Sequence, residues 1–310
     1  MEKKGYALVL SGGGAKGVYH MGVWRALNEL GIRINAVIGS SVGALIAGFM
    51  AQDDFTNADH LIKEIGIDNI VVLPRELVKD GNIHITTKNM KYLITLREQI
   101  MEKGGLDTHP LRKLLETYID EKKIRESYID FGVTTYQIED LKPREFFIED
   151  MEPGLLIDYI LASASFPGFS MTQIKNKKFI DGGVYDNIPY SMAKARGYKR
   201  IIVVDISGLG WNRRPEITGT DTIYIKNSIQ MGGVLNFDRE FLTQYRNLGY
   251  LDTLKVFEKI LGKHFFYYPA QKEYKILEDL LFDPRTTDHF FESPGDSHHQ
   301  HKKKNRCPGR

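Results

Sequence analysis

The chain opens on an apolar run, Tyr6 to Leu10 (YALVL), that stops at a glycine-rich turn, Ser11 to Gly17 (SGGGAKG). Apolar residues then recur three and four apart, at Met21, Val23, Trp24, Leu27 and Leu30, with Gly31 next in line. That spacing predicts a helix over 18–30 closed by a glycine cap. A second apolar run, Ile34 to Ile38, meets a second glycine-framed turn, Gly39 to Gly43, and Ala44 to Ala51 continues as a small-residue helix. The order is strand, turn, helix, strand, turn, helix. It predicts parallel strands joined by crossover helices.

Residues 52–127 read differently. They are mostly polar, with Met90, Leu93, Ile94, Ile100 and Met101 at helical spacing and a further helix over 110–119. Strand-like runs return at 128–136, 145–148, 178–180, 200–206 and 222–225, with helices expected over 155–162 and 190–195. After Asn236 the pattern is helical through Leu281. The expectation is an α/β fold: a three-layer sandwich around a mostly parallel central sheet, with a helical insertion over 52–127. A mainly helical extension over 207–292 and a disordered tail over 293–310 complete the expected organisation.

Composition narrows the class. Of 310 residues, 42% are hydrophobic and 26% charged, which is ordinary globular usage and argues against disorder. The only cysteine is Cys307, so no intramolecular disulfide and no cysteine-based metal site is possible. The N-terminal apolar run is too short for a signal-peptide core, and the longest uncharged stretch, 36–51, is shorter than a membrane span and interrupted by glycine and serine. A soluble, cytoplasmic protein is expected. The net charge of +2 hides an uneven distribution: residues 293–310 carry +4, which leaves −2 on the body. No basic face with interleaved aromatics appears there, so nucleic acid is not an expected partner.

Two turns and one acid carry candidate chemistry. Gly39-Ser40-Ser41-Val42-Gly43 is a Gly-x-Ser-x-Gly pattern between a predicted strand and a predicted helix. A nucleophilic serine needs a sharp turn that exposes its hydroxyl, and the helix start adds a favourable dipole for a developing anion. The spacing selects Ser41. The consecutive glycines Gly12, Gly13 and Gly14, followed by Lys16 and Gly17, leave backbone N–H groups free to cradle an anion. A dinucleotide pyrophosphate fits Gly-x-Gly-x-x-Gly, yet the second strand does not end in the acidic residue that such a site uses. A nucleotide P-loop needs Gly-Lys-Ser/Thr, and Gly17 follows Lys16. The oxyanion of an acyl-transfer intermediate is the third option, since both turns fall at the same edge of a parallel sheet.

A serine nucleophile requires a base. None of the nine histidines stands in a recognisable catalytic setting, so a carboxylate held in a dry site is the alternative. Asp181, followed by Gly182 and Gly183 at the end of a short strand, is the best placed.

In this order the three motifs resemble those of the patatin-like phospholipases: a glycine-rich loop, Gly-x-Ser-x-Gly, then Asp-Gly-Ala/Gly. The segment 162–168 (ASASFPG) is similar to the small-residue block that precedes the family's aspartate. The resemblance covers residues 6–206, and Ser11 stands where some members carry Asp. It implies a Ser–Asp dyad that hydrolyses lipid acyl esters without calcium or any cofactor or metal. Ser41 is then the nucleophile and Asp181 the base. Amides of Gly13 and Gly14, with Gly12 adjoining, hold the oxyanion, and Lys16, Gly17, Gly39, Gly43, Gly182 and Gly183 support the motifs.

A lipid or acyl ester is the implied substrate, with peripheral membrane contact compatible with a lid or interfacial role for 52–127. Other readings stay open at this point: a dinucleotide-binding protein, a non-catalytic lipid-binding protein, or an acyltransferase. Oligomeric state is not legible.

Overall fold

The structure is a computed structural model that describes residues 5–213 and 215–261. The expected basic tail, Cys307 and the later part of the helical extension lie outside the described residues.

In chain order the elements are β1 (Tyr6–Leu10), α1 (Val18–Glu29), β2 (Ile34–Gly39), α2 (Val42–Ala51), α3 (Phe55–Glu64), the two-residue strands β3 (Val78–Lys79) and β4 (Asn82–Ile83), α4 (Tyr92–Lys103), α5 (His109–Tyr118) and α6 (Glu121–Glu126). There follow β5 (Asp130–Gln137), β6 (Lys142–Phe147), α7 (Leu156–Ser163), β7 (Thr172–Ile174), β8 (Lys177–Asp181), α8 (Tyr190–Ala195), β9 (Arg200–Asp205), β10 (Asp221–Lys226) and α9 (Arg239–Val256).

The main sheet runs β10-β9-β1-β2-β5-β8-β7, with β6 on the other edge of β5. Strands β10, β9, β1, β2 and β5 are mutually parallel, while β6, β7 and β8 are antiparallel additions. Helices cover both faces, so the central strands are buried on both sides, and β1 and the middle of β9 read as unbroken apolar runs. Alternation along β1 divides the core. Leu8 and Leu10 point toward α1, α2 and α9, whereas Ala7 and Val9 pack with Tyr190, Met192 and Ala193 of α8. This is the three-layer α/β arrangement that the hydrophobic pattern predicts.

Helix α1 buries Met21, Val23, Trp24 and Leu27 and exposes Arg25, Asn28 and Glu29. Its other partner is α9, and the two helices nearly touch backbones. A methyl added at Gly22 would lie 1.9 Å from the Arg246 carbonyl oxygen and 2.6 Å from the Tyr250 nitrogen.

Residues 207 onward do not begin as a helical appendage. Strand β10 pairs with β9 along its whole length, so the sheet continues past residue 206 before α9 starts. No helix of the described residues is long and apolar enough to cross a membrane.

The pairing of β5 decides what meets in space. Along one edge, β5 first pairs in parallel with β2, Val133 opposite Gly39. Two residues further on, the same edge pairs antiparallel with β8, Thr135 opposite Asp181. The other edge is occupied throughout by β6. Strands β2 and β8 therefore run toward each other and end about 7 Å apart along β5. The second and third sequence motifs, Gly39–Gly43 and Asp181–Gly183, meet a common partner strand at that point.

Candidate active site

Ser41 sits between the end of β2 and the start of α2 with φ 54° and ψ −127°. Left-handed backbone at a residue with a Cβ costs about 1–3 kcal/mol and persists only where the surroundings over-determine it. The surroundings are visible. The Ser41 N–H donates to Ser163 Oγ at 3.0 Å, and the Ser40 N–H to the Leu10 carbonyl at 3.1 Å. The Gly43 N–H closes the turn onto the Ser40 carbonyl at 2.8 Å. Helix α2 then begins at Val42, directing its positive end at the serine.

The segment 162–168 ties both chemical groups together. Ser163 holds the Ser41 backbone, and the Ser165 carbonyl accepts the Asp181 N–H at 3.0 Å. Ser165 is itself fixed, with its hydroxyl 2.9 Å from the Leu161 carbonyl and 2.8 Å from Thr172 Oγ1.

Asp181 is the last residue of β8 and is buried, with 4% of its surface exposed. Its Oδ1 accepts the Gly183 N–H at 2.8 Å, within the short 3-10 turn that Gly182 and Gly183 open. Burial pushes its pKa up from 3.8 to about 6, against the opposing pull of hydrogen bonds from Ser41 and from the Gly183 amide. A carboxylate with that affinity for protons, beside a serine hydroxyl, can accept the serine proton near neutral pH.

The glycine loop closes the third side. A methyl at Gly12 would stand 2.8 Å from Ser41 Cβ and 2.5 Å from Asn187 Oδ1, which measures how closely the loop, the serine and Asn187 approach. The Gly12 N–H is already donated to Asn187 Oδ1 at 3.0 Å, and the Gly12 carbonyl accepts Asn187 Nδ2 at 3.3 Å. The Gly13 and Gly14 amides have no acceptor among the described residues. Gly17 lies at the junction with α1, Gly39 ends β2, and Gly43 falls in the first turn of α2.

Beneath the loop lies a buried polar layer. Ser11 Oγ accepts the Ile206 N–H at 3.0 Å, and His20 Nε2 donates to the Ser11 carbonyl at 2.9 Å. Burial holds His20 down near a pKa of about 4. Lys16 Nζ donates to the Ser207 carbonyl at 2.8 Å; burial lowers its pKa while Asp205 pulls the other way. Lys16 thus engages the chain after β9, not the loop's own amides.

Asn187 belongs to none of the motifs that sequence reading singles out, and the small-residue block that contains Ser163 does not say which of its residues acts. Asn187 lies six residues beyond Asp181, and Ser163 is one of two serines in a small-residue block. Their role is visible only once β5 has brought the three motifs together.

One pocket of about 990 Å³, part of it open to solvent, adjoins these groups. Ser41, Asp181, Gly13 and Gly14 line it at one end. The rest of its wall is apolar, supplied by α2, α3, α5, α9, Phe166, Phe169, Leu209 and the 234–237 segment. Among the described residues no group of three His, Cys, Asp or Glu side chains is placed to hold a metal ion.

Comparison with known proteins points to one family. A family model described as patatin-like phospholipase matches residues 8–194. The chain is similar to Lysophospholipase NTE1 of Eremothecium gossypii, 26% identical over 205 residues, which is 65% of this chain and 12% of that protein. It is likewise similar to human patatin-like phospholipase domain-containing protein 6, 27% identical over 205 residues, 64% of this chain and 13% of that protein. The chain therefore spans about an eighth of the length of these relatives. Among solved structures, VipD from Legionella pneumophila shares the fold with a TM-score of 0.51 at 16% identity, covering 82% of this chain and 67% of that one.

Proposed function

The chain belongs to the patatin-like phospholipase family, and on that premise we propose that it is a calcium-independent serine acyl hydrolase acting on lipid esters through a Ser41–Asp181 dyad. The observation that carries the reading is the convergence of β2 and β8 on β5, which sets a hydroxyl against a buried carboxylate at the end of an apolar pocket.

In this mechanism Asp181 takes the Ser41 proton as Oγ attacks the acyl carbonyl. The tetrahedral oxyanion rests on the Gly13 and Gly14 amides; one such donor contributes roughly 3–4 kcal/mol to the transition state. Gly12 has a supporting part, since its own N–H is spent on Asn187. Asp181 returns the proton to the leaving alcohol as the carbonyl re-forms, leaving an ester on Ser41. Water, deprotonated by Asp181, then attacks that ester; its proton passes to Ser41 Oγ and the fatty acid departs. Carboxylate and amides supply both base and anion stabilisation, so no step calls on calcium or another cofactor. The lysophospholipase name of the relatives points to a single-chain lipid as the first substrate to try.

The test is release of nitrophenol from short- and long-chain nitrophenyl esters, with calcium chelated and a serine-directed fluorophosphonate read by mass. Wild type should turn over and label; Ser41→Ala should lose both, and Asp181→Asn should lose turnover by a factor of at least about a thousand. A wild type that neither hydrolyses nor labels in the presence of lipid would remove the proposal.

A further inference from the structure

Helix α2 runs directly away from Ser41, and one of its faces forms a wall of the apolar pocket. The residues are Val42, Leu45, Ile46 and Phe49, spaced as i, i+3, i+4 and i+7. Phe49 is the pocket residue furthest along the helix from the serine, and it is 2% exposed. At the other end Leu209 also lines the pocket and is 63% exposed, which marks the mouth. The slot is thus open beside Ser41 and Leu209 and buried where Phe49 stands.

We propose that α2 is a ruler for the acyl chain and that Phe49 ends it. This rests on the acyl hydrolase reading above. Eight residues separate Ser41 from Phe49, about 12 Å at 1.5 Å per residue of helix. An extended hydrocarbon with bonds near 1.5 Å and angles near 111° advances roughly 1.25 Å per carbon, so about ten carbons fit between the two residues. Leu45 stands one turn from the serine, about 6 Å or roughly five carbons along the same line. The preferred substrate is therefore an ester of one straight, medium-length acyl chain, with the alcohol portion left outside at the mouth.

The experiment is a kcat/KM profile on nitrophenyl esters of about four to sixteen carbons for wild type, Leu45→Trp, Phe49→Ala and Phe49→Leu, with melting temperatures recorded for each. Wild type should peak near ten carbons. An indole at position 45 blocks the slot early, so the ratio of four-carbon to ten-carbon turnover should rise at least about tenfold over wild type. Opening the end with Phe49→Ala should move the optimum at least about two carbons longer, with Phe49→Leu between. If wild type hydrolyses the series but all three variants keep its profile, the ruler is overturned while the hydrolase reading stands. If wild type hydrolyses none of the esters, both fall. Should Phe49→Ala fail to fold, the Leu45→Trp ratio and the Phe49→Leu shift decide the matter.

Discussion

Asp181 is the residue on which the proposed chemistry and the stability of the fold pull in opposite directions. Its carboxyl holds a proton up to about pH 6 in the folded chain, against an ordinary value of 3.8. Between these values the folded state binds more protons than the unfolded one, so stability declines as pH rises through roughly 4 to 6. Above that window the cost of a buried charge is fully present, about 2–3 kcal/mol for a shift of this size. Asp181→Asn keeps the shape and removes the charge. It should melt higher than wild type at pH 8, by an amount that disappears near pH 4, while abolishing ester hydrolysis; thermal denaturation across pH checks it. In the proposed mechanism the same group sets the activity profile. For wild type kcat/KM should climb about tenfold per pH unit up to about 6 and then level off, as expected when the ionised carboxylate is the base.

Among the elements, the segments flanking the two glycine turns are the ones whose sequence speaks most clearly. Strands β1 and β2 and helix α1 fall where the apolar runs and the three-four spacing place them, since parallel strands buried on both faces are nearly all apolar, with Asn35 of β2 the exception. Helix α2 starts at Val42, two residues before the small-residue run suggests, because Ser41 caps it from a left-handed backbone that no hydropathy pattern encodes. Strand β7 is invisible in the sequence: Thr172, Gln173 and Ile174 form three residues of antiparallel pairing, too short to show a period. The site is legible to a similar depth. Ser41, Asp181 and the glycines announce themselves by motif, whereas Asn187 is silent because its work depends on a partner 175 positions away. Its two hydrogen bonds to Gly12 lock the glycine loop to the turn after β8. Asn187→Ala should leave Gly13 and Gly14 poorly aimed, lowering kcat about a hundredfold with KM little changed, as steady-state kinetics would record.

Across the described residues, one main sheet carries the candidate site, with β3 and β4 forming a separate two-stranded ribbon. Helix α9, from the C-terminal part of the described chain, packs across α1, which emerges from the glycine loop, and carries Leu242 into the pocket wall. Gly22→Ala should force these helices apart and destabilise the fold by about 2–3 kcal/mol or more, a fall of roughly 5–10 °C in Tm. The proposed nucleophile and base are Ser41 and Asp181, with 140 positions of chain between them, and only the return of β8 to β5 unites them. A ribosome adding roughly 5–20 residues per second takes some 7–28 seconds to cover that distance. Throughout that interval the growing chain carries the proposed nucleophile without the proposed base. Under the proposed mechanism, hydrolytic competence therefore waits until β8 has been synthesised and has paired with β5.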